Sequence, residues 1–214
     1  MDHFVVHGIP GSPYVRAVLL TLEEKAAPFT LARMAMGEHR ESAHLARNPF
    51  GRIPVLDHGD FRLYETQAIL RYIDAVVTNP PLRPADPVAA ARVDQLMNIA
   101  DWYVFQQVLA KIGFQRTIVP MRGGVPDEAI IAAALPDAHR CVDVLSGFLS
   151  DHLFIAGNAL TLADLMLAPM LASFHATPEG AALLGGTLLA GYLARMDARE
   201  SMRRTTRERL LQAA

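Results

Sequence analysis

HGIPGSPYVRAVLLTLEEK, residues 7–25, changes character at Ser12. Upstream, Phe4-Val5-Val6 is a β-rich run that Gly8, Pro10 and Gly11 bring to an end. Downstream, Pro13 suits a first helical position, and Val15, Val18, Leu19 and Leu22 recur at spacings of three and four until Pro28 closes the helix. The stretch therefore reads as strand, turn, helix, with a serine at the joint. As a bare sequence feature, a serine there is more often an N-cap than a catalyst. The same position is also a helix N-terminus, where backbone amides and the helix dipole favour a negative charge such as a thiolate.

A second strand is expected over about residues 29–34, followed by the polar stretch GEHRESAHLARNPFG, whose centre can hold a short helix. IPVLDHGDFRLY then gives two strands around a turn containing Gly59, and a helix over about residues 65–77 carries Ile69, Tyr72, Ile73 and Val76 on one face. The order is β-α-β-(α)-β-β-α. TNPPLRPADP, residues 78–87, is proline-rich, which stiffens a connection and breaks helices, so it is read as a linker between a domain of residues 1–77 and one of residues 88–214.

The second domain reads as all-helical. Asp86-Pro87 starts a helix running to about Phe114, the loop PMRGGVP follows, and Asp127 caps a helix to about Asp151. Thr161-Leu-Ala-Asp164 has the form of a capping box, with Leu160 and Leu165 placed as its hydrophobic staple; Asp164 is read as structural.

Composition narrows the function classes. At 214 residues, 51% hydrophobic and 20% charged, the chain has the apolar content of a globular protein and the length for two small cores. A formal net charge of −2 gives no electrostatic reason to expect nucleic acid or an anionic membrane as partner. Arg203, Arg204, Arg207 and Arg209 alternate with Thr and Glu and read as a solvated helix face. A single cysteine, Cys141, excludes an internal disulfide and cysteine-pair chemistry, and fits a reducing, cytoplasmic compartment. MDHFVVHG lacks the pattern of a signal peptide, and the greasiest segment, ALTLADLMLAPMLASF, is interrupted by Asp164 and Pro169. No HExxH or cysteine pair appears among the eight histidines, so no metal is expected.

Six segments in order, GSPYVRAV, GEHR, NPFGRIPVL, DHGD, LYETQAILRYI and FIAGNALTLADL, together resemble the cytosolic glutathione transferases, with GEHR and NPFGRIP closest to the serine-type, phi-like branch. The resemblance spans nearly the whole chain. It implies a thioredoxin-like first domain, an all-helical second domain, glutathione as co-substrate, and a homodimer.

It also implies roles for particular residues, each of which has a plain alternative. Ser12 corresponds to the serine whose hydroxyl bonds the glutathione sulfur. For Ile53-Pro54 the residues alone favour a trans bond; the resemblance implies cis, with Ile53 pairing the cysteinyl backbone like an added strand. Glu65 and Thr66 read as an ordinary helix start, and by resemblance hold the γ-glutamyl ammonium and carboxylate. His39 and Arg40 read as solvated loop residues, and by resemblance lie near the glycyl carboxylate. Phe50 could be a core aromatic; in similar transferases it enters a pocket of the partner subunit. Ile9, Pro10, Met36, Tyr103, Gln106 and Phe114 are the candidates for lining an electrophile site. The implied activity is conjugation of glutathione to a small hydrophobic electrophile. Glutathione-dependent peroxide reduction, isomerisation, or a non-catalytic binding module on the same fold stand as alternatives.

Overall fold

The computed structural model describes residues 3–212, and their contacts divide the chain into two units. One holds the chain up to Arg83 together with the residues from Asp197 onward; the other is Pro84–Met196.

The first unit is built on a four-stranded sheet, β1 (Phe4–Gly8), β2 (Phe29–Arg33), β3 (Val55–His58) and β4 (Phe61–Tyr64), in the order β2-β1-β3-β4. β1 and β2 run parallel, joined by helix α1 (Pro13–Glu24), the crossover that a parallel pair requires. β3 and β4 form an antiparallel hairpin closed over Gly59-Asp60, with Gly59 at φ +57° in the glycine position of a type II′ turn. Between β2 and β3 lie a single 3₁₀ turn (Glu38–Arg40) and the short helix α2 (Ser42–Leu45), and helix α3 (Thr66–Val76) follows β4. Phe4 and Val6 from the sheet, Val15, Val18, Leu19 and Leu22 from α1, and Ile69, Leu70 and Ile73 from α3 are all fully buried, while of the face expected for α3 Tyr72 is half-buried and Val76 exposed. Burying such stripes against one another is the main favourable contribution to a core of this kind.

Part of the expected linker belongs to this unit. Leu82 is buried, its N–H donates to Asp74 Oδ1 at 2.9 Å, and the buried ammonium of Lys25 pairs with Asp74 and donates to the Pro80 carbonyl. Residues 197–212, expected at the end of the helical domain, also make their contacts here. They form α10 (Glu200–Arg204) and α11 (Arg207–Gln212), the end of a series in which α9 is Leu188–Asp197. Arg199 forms a bidentate pair with Glu24 at 2.8 and 2.7 Å, and Arg16 Nη2 donates to the Met202 carbonyl at 2.9 Å. Arg33 Nη1 donates to the carbonyls of Leu210 and Leu211 at 3.2 and 3.1 Å, capping the last turn. Arg203, Arg204, Arg207 and Arg209 are exposed, as expected of a solvated face, and on that face Arg204 pairs with Glu200 and Glu23 and Arg203 with Glu200.

The second unit is helical. α4 (Pro87–Ile99), N-capped by Asp86, runs without a break into a π-helical segment, Ala100–Ile118, and a last turn, α5 (Val119–Met121), so the expected helix to Phe114 extends a little further. Its buried positions are Ala100, Val104, Val108, Leu109, Ile112, Gly113 and Gln115. α6 (Glu128–Leu149), α7 (Leu162–His175) and α8 (Pro178–Leu184) complete the unit with most of α9. Every residue of α7 from Leu162 to Leu171 is buried or nearly so, and its start is organised by Asp164, which is fully buried. The Asp164 carboxylate accepts from the N–H of Ile155 (2.8 Å), the N–H and hydroxyl of Thr161 (2.8 and 2.9 Å) and the Tyr192 hydroxyl (3.2 Å). Burial pushes the carboxyl's pKa up against these four contacts.

Candidate functional site

Sheet register gathers the expected glutathione residues at one end of the first unit. Gly8 pairs with Arg33, His7 with Val55, and Val55 with Tyr64. Four chain segments therefore leave the sheet at the same edge: the turn to Ser12 after β1, the run to His39 and Arg40 after β2, Ile53-Pro54 before β3, and Glu65-Thr66 after β4.

Ile9-Pro10-Gly11-Ser12 is a β-turn closed by Ser12 N–H donating to the Ile9 carbonyl at 3.1 Å, with Gly11 at φ +95°. Ser12 takes extended backbone angles and its Oγ accepts from Val15 N–H at 3.5 Å, so it stands at the N-cap but holds that contact at the outer limit of hydrogen-bond length. Among the described residues its hydroxyl hydrogen has no acceptor. Ser12 is thus a weak cap whose hydroxyl is an uncommitted donor at a helix N-terminus. Sequence reasoning missed what covers this turn. A β-carbon built on Gly11 would lie 2.9 Å from Cδ of Arg207, so the exposed α11 side chain packs its stem on the residue before Ser12.

The Ile53-Pro54 bond is cis and Pro54 is buried. Among the described residues, neither the N–H nor the C=O of Ile53 is hydrogen-bonded, which leaves both free at this end of the sheet. Glu65 has φ +72° and ψ 108°, a conformation rarely adopted by a residue with a side chain, and its carboxylate does not cap α3. Thr66 is buried at the first helical position, and among the described residues the N–H groups of Thr66 and Ala68 donate to no protein acceptor. An exposed carboxylate beside open helix amides is a bipolar site, suited to an ammonium and a carboxylate on one carbon. His39 is half-buried and Arg40 exposed in the 3₁₀ turn, whose backbone touches the next loop: a β-carbon on Gly51 would meet the His39 carbonyl at 3.2 Å. Phe50 is 69% exposed and meets Tyr64 edge-on with ring centroids 6.2 Å apart, which rules out the core reading.

The electrophile-site candidates fall in both units. In the first, Met36 is exposed, Ile9 half-buried, and Pro10 buried within the turn, so Pro10 shapes the turn without presenting surface. In the second, Tyr103, Gln106 and Phe114 are all exposed on the π-helical segment, and the Arg122 guanidinium sits 5.9 Å from the Phe114 ring. Cys141 lies in α6, where burial pushes its thiol pKa up to about 11, the opposite of what a reactive cysteine needs. Among the described residues no group of three or more His, Cys, Asp or Glu could hold a metal ion, and no helix is long and apolar enough to cross a membrane.

A thioredoxin-like sheet with a serine at its first strand-to-helix turn, followed by a helical unit, defines a class that comparison with known proteins makes specific. The glutathione S-transferase N-terminal domain family matches residues 6–81 and the glutathione S-transferase C-terminal domain family residues 128–195. A glutathione S-transferase of Hyoscyamus muticus is 34% identical over 168 residues, 77% of this chain and 79% of its own. Glutathione transferase F7 from Populus trichocarpa superposes with a TM-score of 0.86 at 28% identity, covering 94% of this chain and 97% of its own. Maize glutathione S-transferase I, solved in complex with an atrazine glutathione conjugate, gives a TM-score of 0.85 at 27% identity, covering 99% of each chain. The chain belongs to the glutathione S-transferase family, on its phi-like branch.

Proposed function

We propose that this transferase binds glutathione along the sheet edge and adds its thiolate to a small hydrophobic electrophile, with Ser12 donating its hydroxyl hydrogen to the sulfur. The observation that carries this reading is the uncommitted Ser12 hydroxyl, held at the N-terminus of α1 at the same end of the sheet as Ile53 and Glu65-Thr66. Serine cannot form a mixed disulfide readily, so its part is to stabilise an anion belonging to the co-substrate. Ile53 pairs with the cysteinyl backbone, Glu65 faces the γ-glutamyl ammonium, Thr66 and the α3 amides take its carboxylate, and His39 and Arg40 attract the glycyl carboxylate. The solved maize relative carrying a glutathione conjugate supports thioether formation as the outcome. The raised pKa of Cys141 argues against chemistry through a protein thiol. Exposed Phe50 is assigned to a pocket of a second copy in a two-fold dimer, and the enzyme to a reducing, cytoplasmic compartment.

Ser12→Ala tests the central role. A charge-assisted hydrogen bond contributes about 1.5–3 kcal/mol, and each pKa unit corresponds to about 1.4 kcal/mol, so the bound thiol pKa should rise by about 1–2 units. The value of kcat/KM at neutral pH should fall roughly 10- to 100-fold. An unchanged pH–rate profile removes the hydroxyl from the mechanism.

A further inference from the structure

The polar stretch before the cis proline contains two buried side chains that the reaction as described does not use. His44, in α2, and Asn48, just after it, are 2% and 1% exposed. Both donate to one acceptor: His44 Nε2 lies 2.8 Å from the Arg52 carbonyl oxygen and Asn48 Nδ2 lies 3.0 Å from it. The second arm of Asn48, its Oδ1, accepts the Phe50 N–H at 3.0 Å. His44 Nδ1 is buried with no partner. An unpaired buried nitrogen is destabilising, and an apolar residue at position 44 would avoid it. What the imidazole contributes in exchange is its bond to Arg52.

The Arg52 carbonyl and the Ile53 N–H belong to the same peptide unit, which is planar and trans, so the two groups point in opposite directions. Two donors gripping the oxygen from the interior therefore aim the Ile53 N–H away from the interior, at the open edge. Bonding at the oxygen also polarises the unit and strengthens its N–H as a donor. We infer that His44 and Asn48 are positioning residues for glutathione, acting through the Arg52 carbonyl to fix and polarise the Ile53 amide that pairs with the cysteinyl backbone. The inference rests on the assignment of Ile53 to glutathione proposed above.

The experiment uses the full-length enzyme and two probes, glutathione and S-methylglutathione; the second keeps the backbone contacts and removes the thiolate. His44→Leu is expected to weaken both about tenfold, the factor to which roughly 1.4 kcal/mol converts, with the KM for the electrophile unchanged. Its melting temperature should stay level or rise, because the unpaired nitrogen is gone. His44→Gln, whose Nε2 can reach the same oxygen, should recover most of the affinity. Wild-type binding of S-methylglutathione by both His44 variants alike refutes the positioning role. So does a Gln variant no better than Leu at equal melting temperature. If wild-type protein itself fails to bind S-methylglutathione, the glutathione site is refuted instead. Should His44→Leu not fold, Asn48→Ala is measured against the same probes with the same expectation and the same refuting result.

Discussion

Glu65→Gly separates stability from binding at a single position. Glu65 holds φ +72° with ψ 108°, outside the left-handed helical well, and such a conformation costs a residue with a side chain about 1–3 kcal/mol. Its exposed carboxylate makes no cap and no ion pair among the described residues, so the folded protein loses no side-chain contact when it is removed. The one structural bond at this position, from the Ile69 N–H to the Glu65 carbonyl at 3.0 Å, is main-chain and survives. Glycine adopts positive φ freely but carries about 0.5–1 kcal/mol more unfolded-chain entropy, which leaves a net gain of roughly 1 kcal/mol. For a chain of this size that corresponds to a melting temperature higher by about 2–4 °C. Binding should move the other way. Loss of a charge-assisted contact to the γ-glutamyl ammonium, about 1.5–3 kcal/mol, should raise the KM for glutathione roughly 10- to 100-fold. Differential scanning calorimetry paired with steady-state kinetics reads both numbers on one preparation. A variant that melts lower than wild type, or one that keeps the wild-type KM, refutes the claim that strain at residue 65 is maintained for the co-substrate.

Asp164→Ala leaves the Ile155 and Thr161 amides buried without an acceptor, at about 1–3 kcal/mol each, so chemical denaturation should show a loss of about 2–6 kcal/mol; a loss under about 1 kcal/mol would overturn this account of the α7 start. Burial pushes the Glu24 carboxyl up, but the hydrogen bonds from Arg199 and Ser201 outweigh it and hold the group below its ordinary value. A carboxyl depressed in the folded state contributes stability that is complete above its unfolded pKa and lost as pH falls through the folded one. Protection against amide exchange over residues 199–212, taken relative to the intrinsic rate at each pH, should therefore fall as pH drops below about 4. Glu24→Gln should show quickened exchange already at neutral pH and no further acid step; an acid step of wild-type size in that variant would exclude Glu24 as its source.

Local chemistry made the first unit legible. Glycine and proline punctuate every turn that matters, and the apolar spacing of α1 lies on its buried face, whereas on α3 Ile69 and Ile73 are buried, Tyr72 is half-buried and Val76 is exposed. Ser12 was visible as a cap, because capping is a local relation; that its hydroxyl hydrogen lacks an acceptor is a fact about distant atoms. His44 and Asn48 lie in a polar stretch whose centre reads as a short helix, and nothing in their spacing reveals a shared carbonyl four to eight residues on. Arg203, Arg204, Arg207 and Arg209 are exposed, as a solvated face requires; that Arg204 also reaches Glu23, 181 residues earlier, is a tertiary relation that an Arg/Glu alternation does not reveal.

The return of residues 197–212 to the first unit makes that unit discontinuous in the gene, with Pro84–Met196 as an insertion between its two pieces. During synthesis the helical insertion emerges whole, while the sheet that began the chain still lacks the arginines that bind Glu24 and the helix that lies on Gly11. Completion on the ribosome is thus reversed relative to the order of translation: the half made first is the half finished last.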